Sequence, residues 1–259
     1  MILDYKEIPV FYTDEGKGTP VVLLHGFLEN SLMWKNIVPH VSKTNRVISI
    51  DLLGHGQTGC IGYVHTMEDM AKMVDAVLIH LEIDNAIFIG HSMGGYVALA
   101  FAEMFSEKVL GLCLANSTSQ EDSKERKINR GRAIRAVKQN YKAFVSMAVT
   151  NLFAESNRKL YSKEIKNTKN EALKTPLQGI IAALEGMKVR KNRELILKNA
   201  SFKKLLIIGH KDTVIQPYTL INEAKTTHTD LIELDGGHMN YIENERLFLH
   251  NIVHFVEKI

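Results

Sequence analysis

Five short stretches of this chain carry apolar, mostly branched residues without the alternation of a half-exposed strand: Val21–His25, Val47–Asp51, Ala86–Gly90, Val109–Leu114 and Leu205–Gly209. Leu231–Leu234 is a weaker sixth. A strand wet on one face alternates polar with apolar positions, so an unbroken run reads as a strand covered on both faces. Between these runs, Thr66–Leu81, Ser92–Phe105 and Glu243–Val256 repeat apolar residues at helical spacing. Thr66 followed by Asp69 supplies an N-cap pattern for the first of them. Strand and helix in alternation predict an α/β fold, with a mostly parallel, doubly wound sheet.

One segment breaks that rhythm. From Glu121 to Asn199 the spacing is helical and no strand-like run occurs. The reading is therefore a core of residues 1–120 and 200–259, with a helical cap, 121–199, inserted in it. The segment holds 19 Lys and Arg against 8 Asp and Glu, whereas the rest of the chain is acidic. A helical insertion between strands is placed to cover a site at their ends. Its charge has three readings: a solvated outer face, docking on the acidic body, or attraction of an anionic substrate.

Composition excludes several classes. A net charge of +3 in 259 residues gives no case for nucleic-acid binding without a localised basic stripe. No apolar stretch is long enough to span a membrane. Two cysteines, Cys60 and Cys113, make neither a disulfide framework nor a zinc cluster. The start of the chain is charged where a signal peptide needs an apolar run. The expectation is a soluble, reduced, cytoplasmic protein.

The chemistry centres on Gly90-His-Ser-Met-Gly94, which follows an apolar run and opens a helical one. Gly-x-Ser-x-Gly in that context puts the serine on a tight strand-to-helix turn, exposed above the sheet. A serine hydroxyl is a weak nucleophile at neutral pH and needs a base. His238, in the glycine-containing loop Asp235–Met239 after the last predicted strand, is the candidate. The base needs a carboxylate to hold its tautomer, and Asp212 follows the Leu205–Gly209 run directly. The rival position, after Val109–Leu114, reads Ala-Asn-Ser-Thr and offers no acid before Glu121. The chain order Ser92, Asp212, His238 is the one this kind of sheet uses. For the oxyanion, the backbone N–H groups of Met93 and Phe27 are the candidates.

Other motifs read as bystanders. His91 adjoins the serine but is expected to be a packing residue, since the turn points neighbours apart. His250 and His254, four apart on a helix, lack the Glu of a zinc pair and read as ordinary helix-face residues. Gly54–Gly59 fits a dinucleotide fingerprint, yet no helix opens there to receive a phosphate. Cys60 has no basic neighbour in sequence and reads as an inert thiol.

His25–Phe27, Asp51–Gly56, Gly90–Gly95, Gly209–Asp212 and Gly237–Met239, in this order, resemble the α/β-hydrolase superfamily from about Val10 onward. The insertion stands where that superfamily carries its variable cap. The resemblance implies cofactor-free acyl transfer to water through an acyl-serine, and its Ser-Met-Gly-Gly elbow is similar to that of small carboxylesterases acting on small-molecule esters. Carbon–carbon bond hydrolases share the elbow but usually have Asn before the serine and Trp after the histidine, where this chain has His91 and Met239. Thioesterases use the same apparatus. Dehalogenases and epoxide hydrolases of this fold carry Asp in place of Ser92. Some relatives with the triad act as ligand receptors, a third class of reading.

Overall fold

The computed structural model describes residues 1–259 and contains eight strands: β1 (Ile2–Tyr5), β2 (Ile8–Gly16), β3 (Thr19–Leu24), β4 (Asn45–Ile50), β5 (Ala86–His91), β6 (Val109–Ala115), β7 (Lys203–Gly209) and β8 (Asp230–Leu234). They form one sheet in the order β1-β2-β4-β3-β5-β6-β7-β8. From β4 to β8 all neighbours are parallel, and β1 and β2 add an antiparallel edge. All six runs read from the sequence are strands of the parallel part.

Their lack of alternation has a direct cause. On β3, Val22 and Leu24 enter one apolar core and Val21 and Leu23 the other. On β7 the same division separates Leu206 and Ile208 from Leu205 and Ile207. The first core is closed by α2 (Met67–His80) and α3 (Met93–Met104), the second by the short α1 (Val38–Val41) and α11 (Glu245–Glu257). Strand β2 has no such double cover, and only its Val10 and Tyr12 are buried. A half-exposed strand with a charged tail carries too little apolar signal to be found by pattern alone.

Between β6 and β7 lie only helices: α4 (Lys124–Gln139), α5 (Tyr141–Leu152), α6 (Ser162–Ala172), α7 (Leu177–Lys188) and α8 (Glu194–Asn199), with a turn of 3₁₀ helix at Glu155–Asn157. Their apolar faces, including Val137, Val145 and Ile180, join the core of α2 and α3 without a break. The remaining helices are α9 (Pro217–Thr227) and α10 (Asn240–Glu243). The expected helix from Glu243 to Val256 is split at Asn244, because α10 turns the Glu243 carboxylate back onto the Gly237 N–H, 2.8 Å away.

Helix α2 starts as its sequence proposes, with the Thr66 hydroxyl accepting from the Asp69 N–H at 3.0 Å. Thr66→Ala is expected to lower unfolding stability by about 1 kcal/mol, read as a shifted urea midpoint at constant m value.

Candidate active site

The parallel strands all end at one rim, where loops carry side chains over the sheet. Ser92 stands between β5 and α3 with φ 50° and ψ −114°, a left-handed conformation that costs a serine about 1–3 kcal/mol. The two flanking glycines permit it. A Cβ on Gly90 would lie 2.5 Å from the backbone of Gly94 and Gly95. One on Gly94 would run into the backbone carbonyls of Leu24 and His25. The elbow is pinned by the Ser92 N–H, which donates to Ala115 O at 2.9 Å, and by Ser117 Oγ, which donates to Ser92 O at 2.7 Å.

The loops after β5, β7 and β8 bring Ser92, Asp212 and His238 together. Ser92 Oγ lies 2.8 Å from His238 Nε2, and His238 Nδ1 lies 2.7 Å from Asp212 Oδ2. Asp212 also accepts from Asn116 Nδ2 at 2.9 Å and, through Oδ1, from the N–H groups of Val214 and Ile215 at 2.7 and 3.1 Å. Burial alone would raise this carboxyl, but His238 and these hydrogen bonds outweigh it and hold Asp212 below the usual carboxylate range. An ionised Asp212 only accepts, so His238 must donate from Nδ1, which leaves Nε2 with a lone pair toward the serine hydroxyl.

His91 departs from its expected packing role. Its Nδ1 lies 2.8 Å from Glu29 Oε2 and its Nε2 2.9 Å from the carbonyl oxygen of His238. The His238 carbonyl only accepts, so Nε2 donates to it, and with Glu29 ionised Nδ1 donates as well and the ring carries a positive charge. Burial would lower the His91 pKa, and the Glu29 charge with these two hydrogen bonds raises it instead. Burial likewise opposes ionisation of Glu29, yet His91 and the hydroxyl of Tyr241, 2.9 Å from Oε1, hold that carboxyl low. Glu29 Oε2 also accepts the Gly26 N–H at 2.8 Å, so the pair ties the Gly26–Phe27 turn to the loop of His238.

The signs fix a pH window. Glu29 contributes stability above its ordinary pKa of 4.5 and loses it as pH falls through its lower folded value. His91 contributes below 6.5 and loses its share as pH rises through its higher folded value. The stability difference between the wild type and Glu29→Gln is therefore expected to be largest between about pH 4.5 and 6.5 and to shrink on both sides, read by thermal melts across pH.

Met93 is the first residue of α3 and Phe27 lines the cavity at Ser92, and neither N–H bonds to another group of the protein. That cavity, about 80 Å³, is walled by Phe27, Leu28 and Tyr96 of the core and by Arg126, Arg130, Ala148, Leu152 and Met187 of the inserted helices.

Several sequence readings can be placed. His250 and His254 stack on the exposed face of α11, ring centroids 6.1 Å apart. Gly54–Gly59 is a closed loop, with Gly54 N–H bonded to Gly59 O at 2.9 Å, and the next helix begins at Met67. Burial raises the Cys60 thiol above its ordinary pKa. Part of the insertion's positive charge docks on the body: Arg193 reaches Glu68 at 2.6 Å and Glu103 at 2.8 Å. Sequence reasoning missed Asn116, which sits at the rival acid position after β6 and binds Asp212, the Gly237 carbonyl and Asn240. It also missed Glu243, whose carboxylate accepts from Gly237, Ala154 and Asn157.

A family model described as the alpha/beta hydrolase fold matches residues 19–245. The chain is an α/β hydrolase by family. A thermophilic esterase from Thermogutta terrifontis, solved with malate bound, is 30% identical to this hydrolase, with TM-score 0.91 over 97% of this chain and 94% of that one. An enol-lactonase from Burkholderia xenovorans shares the fold at TM-score 0.91 and 21% identity, over 99% and 100% of the two chains. The acetyltransferase component of an acetoin-cleaving system from Pseudomonas putida is 28% identical over 254 residues, 93% of this hydrolase and 64% of the relative. An uncharacterized hydrolase of Bacillus subtilis is 35% identical over 107 residues, 39% and 38% of the two. This hydrolase thus spans less than two thirds of these curated relatives. None of its helices is long and apolar enough to cross a membrane.

Proposed function

We propose that this α/β hydrolase is a serine carboxylesterase, cleaving carboxylic esters through an acyl-serine intermediate. The observation that carries the reading is the unbroken chain of hydrogen bonds from Ser92 through His238 to an ionised Asp212. Ser92 Oγ attacks the acyl carbon as its proton passes to His238 Nε2. The negative oxygen that forms is held by the N–H groups of Phe27 and Met93. The ester C–O bond then breaks and His238 returns the proton to the leaving alcohol. In the second half, water gives a proton to the same nitrogen as it attacks the acyl carbon, the bond to Ser92 Oγ breaks to release the acid, and His238 returns the proton to Oγ. Asp212 keeps Nδ1 protonated throughout and stabilises the imidazolium. Residues 121–199 act as the cap, closing the cavity over the strand ends and limiting water at the reacting carbon.

The test is repeated turnover of p-nitrophenyl acetate, with Ser92→Ala as the blank and a fluorophosphonate probe to locate the labelled residue by mass spectrometry. Labelling at Ser92 and loss of turnover in the variant sustain the reading. Equal turnover in the variant overturns it. Asp212→Asn is expected to cut kcat by about 10⁴-fold, because an amide that donates to Nδ1 turns the imidazole to the wrong tautomer.

A further inference from the structure

The inserted helices close the cavity at Ser92 with an unbalanced cluster of charge. Asp122, whose side chain is wholly buried, accepts from three guanidinium groups. Arg126 reaches it through Nε at 3.2 Å, Arg130 through Nε and through Nη2 at 3.4 Å, and Arg190 through Nη1. One carboxylate against three cations leaves a surplus of two positive charges. The one acid that lines the cavity, Glu29, is already paired with His91.

The three arginines are not equivalent. Arg190 is 4% exposed, lies over the Tyr96 ring at 4.1 Å, and spends further N–H groups on the carbonyls of Gln120 and Met187. It is structural. Arg126 and Arg130 line the cavity together with Ser92 and His238. Arg126 uses Nε on Asp122 and Nη1 on the Val214 carbonyl, and its Nη2 bonds to no protein group. Arg130 uses Nε and Nη2, and its Nη1 bonds to none. Burial pulls the Arg130 guanidinium below its ordinary value, Asp122 notwithstanding. Like charges crowded into a partly dry pocket gain when an anion joins them, and a guanidinium is shaped to hold a carboxylate. The same wall also carries the apolar side chains of Ala148, Leu152 and Val214.

Building on the esterase reading, we infer that the substrate is an ester carrying a second, ionised carboxylate, separated from the scissile bond by a short apolar spacer and held by Arg126 and Arg130. The matched pair that tests it is mono-p-nitrophenyl adipate and p-nitrophenyl hexanoate, which differ in a terminal carboxylate against a terminal methyl. The wild type is expected to favour the adipate in kcat/KM by about tenfold or more at low salt, and added salt is expected to erode that preference. Arg126→Gln, whose side chain is the more exposed of the two, is expected to reduce the adipate-to-hexanoate ratio by about ten- to a hundredfold, and Arg126→Gln/Arg130→Gln further. An unchanged ratio in a folded Arg126→Gln overturns the inference. Calorimetric titration of adipate reads the pocket without any turnover. Binding to the wild type that weakens in Arg126→Gln sustains the anion site even if neither ester is cleaved, which would sink the esterase reading alone. Adipate that fails to bind, or binds the variant equally well, overturns the anion site even where hexanoate is turned over.

Discussion

Ser92→Ala is expected to lower kcat for p-nitrophenyl acetate by on the order of 10⁴- to 10⁶-fold, with an unchanged circular dichroism spectrum. The magnitude follows from the single path available to the proton: His238 Nε2 has one partner, Ser92 Oγ, at 2.8 Å. A second substitution at the same position separates chemistry from stability. Alanine keeps the strain of φ 50°, whereas glycine adopts that angle freely. Ser92→Gly is therefore expected to be as inactive as Ser92→Ala and more stable than the wild type, by about 1 kcal/mol once glycine's extra chain entropy is set against the relieved strain. A Ser92→Gly protein that unfolds at lower denaturant than the wild type would contradict a strained elbow.

Glu29→Ala is expected to destabilise the fold by about 3–5 kcal/mol, because it strands a buried imidazolium without its counter-charge. The ring escapes part of that cost by losing a proton, but then one of its two acceptors goes unpaired. Removing both partners should hurt less than the single changes imply. In a cycle with Glu29→Gln, His91→Gln and the double variant, the coupling is expected to be at least 1 kcal/mol, and additive losses would refute the pairing. Activity should suffer as well. Glu29 holds the Gly26 N–H one residue before the proposed Phe27 donor, and His91 holds the carbonyl of His238. Displacing one oxyanion donor costs about 10²–10³ in rate, and the loss should fall on kcat more than on KM.

The parts of this fold and site that could be read from sequence are those encoded locally. Five of the parallel strands announce themselves because each is buried on both faces, β8 at the sheet edge gives only a weaker run, and Ser92 is announced by the strand, two glycines and helix that adjoin it in the chain. Asp212 and His238 were legible by position, as a carboxylate and an imidazole in the loops that follow the last two strands. What could not be read depends on partners far apart in the chain. His91 meets Glu29 across 62 positions and the His238 carbonyl across 147, and nothing beside it in sequence signals an imidazolium. Asn116 was visible only as a missing acid, although its amide takes that place and supports Asp212 from the side. The surplus of lysine and arginine in 121–199 was countable, but not its division into Arg193 on the body, Arg190 over Tyr96, and Arg126 and Arg130 facing the cavity.

The N–H of His238 donates to the carbonyl of Leu152 at 2.8 Å, and Glu243 joins Gly237 to Ala154 and Asn157. The end of α5 is thus a buttress for the base itself. Grafting another family member's insertion onto this scaffold should therefore work only with the seam at 151–157 retained, and a chimera cut inside that stretch would inherit a mispositioned imidazole however well its new roof suited the substrate.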